Sequence, residues 1–78
     1  SEVKDKAFSP RQLEEELAAI DHEIKKQRTL LDQAAVKAIL QNKKLGEDAE
    51  ILALDEQMQK LLIRQKKLLS GEDDLSIR

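Results

Sequence analysis

Asn42-Lys43-Lys44-Leu45-Gly46-Glu47-Asp48 separates two long amphipathic runs, and its reading decides between a bent and a straight molecule. Gly46 suits the left-handed residue that ends many helices. Lys43 and Lys44 stand where a helix C-terminus attracts cations, while Glu47, Asp48 and Glu50 stand where the next N-terminus attracts anions. Asp48 also suits an N-cap. One helix ending and another beginning accounts for all of these residue types together.

The phase of the apolar positions supports a turn. Upstream, Leu13, Leu17, Ile20, Ile24, Leu31, Ala34 and Ala38 recur at alternating steps of four and three, with Gln27 in the one polar slot. This is a heptad seam. Carried forward unbroken, it would bury Asp48, Asp55, Gln59 and Lys66. The downstream apolar residues instead form their own seam of Ile51, Leu54, Met58, Leu61, Gln65 and Leu68. The expected fold is therefore all-α, an antiparallel two-helix coiled-coil hairpin. Helix one should span about 10–43, the turn 44–48 and helix two about 49–69.

The first helix has a complete start signal. Ser9 is the N-cap, Pro10 the first helical residue and Gln12 the reciprocal capping-box partner, with Phe8 and Leu13 at the flanking staple positions. Residues 1–8 read as a flexible lead-in. Ser70-Gly71 stops the second helix, and 70–78 reads as an acidic tail. At helical rise the arms differ, about 50 Å against about 32 Å. Leu13 and Leu17 are therefore expected to overhang, and either to pack on something else or to remain exposed. Gln27 and Gln65 are expected to face each other and set the register.

Composition narrows the function. Of 78 residues, 38% are charged and 40% hydrophobic, which together suit an elongated, solvated helical surface. There is no cysteine for a disulfide or thiolate metal site, and Phe8 is the only aromatic residue. The net charge of −2 does not suit nucleic acid. No apolar run approaches the roughly 20 residues of a membrane span. The start at Ser1-Glu2-Val3, without Met, reads as an excised fragment.

Catalysis is not expected. His22, the only histidine, falls opposite the seam, and Glu14-Glu15-Glu16 are consecutive and fan around a helix. Gly46 and Gly71 do not form a phosphate-cradling loop. Neither a metal nor a cofactor is expected.

What exceeds the needs of a hairpin points to a protein partner. Leu30, Val36, Ile39, Leu40, Leu52 and Ile63 lie off the seams and offer apolar surface. Lys25, Lys26 and Arg28 follow an acidic start, and a turn at Gly46 would bring Arg64, Lys66 and Lys67 alongside them as one basic band. Lys25, Arg28, Arg64 and Lys67 are the expected steering charges on a face built from both helices. Membrane contact is expected to be peripheral at most, through that band. Helical pairs Asp21–Lys25 and Glu56–Lys60 are expected on the solvated faces. The alternative function is a self-associating structural coiled coil, a homodimer pairing through Leu13, Leu17 and Ile20.

Glu23-Ile24-Lys25-Lys26-Gln27-Arg28-Thr29, followed by Gln33-Ala34 and Ala38, resembles the first helix of the Rho-binding hairpin of anillin-like proteins. Glu50, Leu61-Leu62 and Leu68 match the Glu, Leu-Leu step and closing Leu of that family's second helix. The plan is also similar to the antiparallel hairpins of protein-kinase-N-type Rho effectors. The resemblance covers residues 17 to 69. It implies a small GTPase of the Rho class as partner, with the Rab class second. It also implies a cytoplasmic parent protein at the cytoskeleton or cell cortex.

Overall fold

The computed structural model describes residues 8–71, so the readings of the N-terminal seven residues and of the acidic tail beyond Gly71 lie outside it. The fold is an all-α helical hairpin. Helix α1 runs Pro10–Leu40, a 3₁₀ turn occupies Leu45–Glu47, and helix α2 runs Ala49–Ser70. A single helix over Pro10–Ser70 would be about 90 Å long, whereas the longest dimension is 56 Å.

Side chains and Pro10 define the start of α1. The Gln12 N–H donates to Ser9 Oγ at 3.2 Å, and the Ser9 N–H donates to Gln12 Oε1 at 2.9 Å. That reciprocal box satisfies two donors that the first turn leaves open. Pro10 sits where its missing N–H costs nothing. Phe8 is not part of a loose lead-in: with Leu13 it packs against the hydrophobic core. The Asp48 side chain caps α2, accepting from the Ile51 N–H at 3.0 Å. Gly71 ends α2 at φ 75, in the left-handed region that glycine occupies without a Cβ penalty.

The end of α1 departs from the sequence reading. The helix stops at Leu40 instead of near Lys43, and the left-handed residue is Asn42, at φ 58. The Lys43 N–H reaches back to the Ala38 carbonyl at 2.8 Å and the Asn42 N–H to the Ile39 carbonyl at 3.0 Å. This is the paired bond pattern of a Schellman motif. Asparagine tolerates this conformation better than most non-glycine residues, so the helix ends at the first residue able to adopt it. Gly46 instead lies in the 3₁₀ turn, and a Cβ there would meet nothing.

Both seams assemble as their phases require. Ile20, Ile24, Ala34, Ala38, Met58 and Leu68 are buried. Leu13, Leu17, Gln27, Leu31, Ile51, Leu54, Leu61 and Gln65 are half-buried between them. Asp55, Gln59 and Lys66, which a continuous seam would have buried, are exposed. Leu13 and Leu17 do not overhang an empty end, because they pack with Phe8 on the cluster that holds Leu68, itself 2% exposed. At the other end Ala38 is 1% exposed. Burying so small a side chain requires the returning backbone to come close.

The expected pairs Lys25–Asp21 (3.0 Å) and Lys60–Glu56 (3.7 Å) are present, as is Arg11–Glu15 at 3.2 Å. All are exposed, so they support local helix and add little to the tertiary fold.

Gly46→Ala should leave stability within about 0.5 kcal/mol or raise it slightly, whereas Asn42→Val should cost about 1–2 kcal/mol. Urea unfolding followed by far-UV circular dichroism measures both. By the same assay Leu68→Ala should cost about 2–4 kcal/mol, because it empties the best-buried position of the open end.

Candidate partner-binding surface

Two polar contacts between the helices mark their register. Gln27 Nε2 donates to the Leu54 carbonyl at 2.9 Å. Lys37 Nζ lies 3.9 Å from Glu50 Oε2. Gln27 therefore does not pair with Gln65. Its amide reaches a main-chain oxygen, whose second lone pair remains available beside the helical bond. Equal steps outward from Gln27 and Leu54 bring Gln65 level with Glu16 and Leu68 level with Leu13.

That register also dissolves the expected basic band. Counted from either contact, Arg64, Lys66 and Lys67 return level with residues 14–23, the stretch holding Glu14, Glu15, Glu16, Asp21 and Glu23. They do not reach Lys25, Lys26 and Arg28. The turn begins at Asn42, and the remaining connection offsets α2 toward the open end. The result is an alternation of sign. The acidic start of α1 faces the basic end of α2, and the acidic start of α2 faces the stretch from Lys25 to Lys37.

The expected partner residues are at the surface, but not on one face. Val36, Ile39 and Leu40 are 56%, 60% and 79% exposed at the last turn of α1. At 3.6 residues per turn, Lys25 and Arg28 fall on the same outer strip, in the order 25, 28, 36, 39. Both are exposed, and Lys25 is bridged to Asp21. Leu30, less exposed, lies on the other flank of α1. Leu52 and Ile63 lie on α2 opposite its seam, with Lys67 nearby. Leu52 and Ile63 thus lie on the back of α2, whereas on α1 Val36 lies on the back and Arg28 and Ile39 on a flank. Arg64 is half-buried at the flank of α2.

Leu45, Leu62 and Leu69 are exposed apolar residues that the sequence reading did not single out. Leu62 and Leu69 each follow a seam leucine. In a Leu-Leu pair the heptad assigns one to the core, and the other should have been counted as surface.

His22 is exposed. Among the described residues no cluster of His, Cys, Asp or Glu could hold a metal, and no helix is long and apolar enough to cross a membrane. Surface depressions lined by Phe8, Gln12, Glu15 and Glu16, and by Asn42, Lys43, Lys44, Glu47 and Asp48, are open to solvent. Protein-family models, curated proteins and solved structures show no match to this chain.

Gln27→Leu should change stability by less than about 1 kcal/mol, since the lost bond is offset by apolar burial. It should nonetheless loosen the register. Spin labels at Gln33 and Gln57 should give a broader distance distribution in the variant than in the parent chain.

Proposed function

We propose that this hairpin is a non-catalytic protein-interaction module that binds a small GTPase of the Rho class through the outer strip of α1. The parent protein would then act in the cytoplasm, at the cytoskeleton or cell cortex. The observation that carries the interaction reading is the aliphatic group Val36, Ile39 and Leu40, each more than half exposed on one helical turn. Neighbouring aliphatic residues on a short amphipathic hairpin mark a contact surface better than scattered ones do. Lys25 and Arg28, further along the strip, would steer an acidic partner surface. The Rho class rests on the resemblance of Glu23–Thr29, Gln33-Ala34 and Ala38, all on α1. The self-associating alternative would pair Leu13, Leu17 and Ile20, of which Ile20 is buried in the hairpin core and Leu13 and Leu17 are half-buried against it.

A pull-down with a panel of nucleotide-loaded small GTPases tests the assignment. Retention of a Rho-class member is expected, and retention of a Rab-class member alone would replace it. Ile39→Asp should weaken that binding roughly a hundredfold or more, because an unpaired carboxylate in a desolvated contact costs about 3 kcal/mol or more. Helicity should be unchanged, since Ile39 supports no core contact. A folded Ile39→Asp variant with undiminished affinity rejects the strip.

A further inference from the structure

The back of α2 is unused by this reading, and its chemistry is complementary to itself. Opposite the seam of α2 lie Leu52, Glu56, Lys60 and Ile63. Leu52 is 52% and Ile63 53% exposed, neither needed by the core. Charge along α2 is strictly divided. Glu50, Asp55 and Glu56 precede Gln57, and Lys60, Arg64, Lys66 and Lys67 follow it, with no charge of the opposite sign in either half.

We infer that two copies of this chain associate back to back through α2, antiparallel about a two-fold axis near Gln57 and Met58. The axis is set by the residues themselves. Leu52 and Ile63 are equidistant from it, so Leu52 meets Ile63 of the second copy and Ile63 meets Leu52. The same operation brings Lys60 of the second copy level with Asp55, one residue from Glu56, so that the Glu56–Lys60 pair of each helix can be shared with that of the other. Both apolar contacts and both charge contacts thus arise twice from one symmetric patch, as an isologous interface requires. A parallel arrangement would set like charge on like charge over the whole helix. An unrelated partner would have to reproduce this spacing and this division of charge, whereas a second copy already carries both. The contact is a single helix pair, at the small end of specific interfaces, so the dimer is weak and forms at high protein concentration. It leaves Val36, Ile39 and Leu40 of both copies outward, and so would present two copies of the α1 strip.

Sedimentation equilibrium of the full chain over a concentration series tests this. A monomer–dimer equilibrium is expected. Leu52→Asp together with Ile63→Asp should weaken it at least about tenfold, with far-UV circular dichroism unchanged. If that variant loses helicity, Leu52→Gln with Ile63→Gln gives the same test on a folded chain. Glu56→Lys should weaken association, and Glu56→Lys combined with Lys60→Glu should restore it. A chain that stays monomeric throughout, or a dimer indifferent to Leu52 and Ile63 but lost in Ile39→Asp, overturns the inference. GTPase binding by the monomeric Leu52/Ile63 variant reports separately on the α1 strip.

Discussion

The bond from the Lys43 N–H to the Ala38 carbonyl is the hinge on which this architecture rests. It closes α1 and reverses the chain. It forms because Asn42 accepts a left-handed backbone that most side chains resist. With α1 closed there, the second seam can turn toward the first, and Ala38 becomes a floor for the connection. If the helix continued, the α2 residues that now face α1 (Ile51, Leu54, Met58, Leu61 and Leu68) would be rotated off the line of the first seam, and Asp48, Asp55, Gln59 and Lys66 would fall on it.

The two helices then hold by a narrow core and a matched order of charges. The apolar part is graded, with small alanines at the turn and Ile, Met and Leu toward the open end. The polar part is long-range. In α1 the run Glu14 to Glu23 precedes Lys25, Lys26 and Arg28, α2 passes from acidic to basic in the same sense, and reversal of direction pairs unlike halves. Individual surface pairs contribute little, but the ordering disfavours a parallel alignment of the two segments. Gln27 adds a directional bond inside the seam, of the kind that specifies alignment at little gain in stability.

Heptad phase made most of the fold legible. The one-residue slip between Leu13–Ala38 and Ile51–Leu68, falling at a Gly flanked by opposite charges, favours a turn over a straight rod, and the Ser9–Gln12 box marks the helix start with several signals at once. The turn itself was not legible. Gly46 is the stronger left-handed candidate by composition, yet Asn42 comes first along the chain and its carbonyl partners were already in helical position. That small shift propagated. It changed which charges face each other and brought Leu13 and Leu17 under Leu68. The apolar residues off the seam were correctly placed outside, because periodicity reports distance from the core. Which charges of the two helices stand level depends on register, which periodicity does not contain.

Both described ends of the hairpin, Phe8 and Gly71, lie at the same extremity, far from the turn. Tension applied there peels the arms apart one layer at a time, beginning where Leu13 meets Leu68, instead of shearing all layers at once. Such a geometry yields at low force and re-zips readily, so mechanical load would gate the joint from its mouth inward while the aliphatic cap beside the turn is the last part to be disturbed.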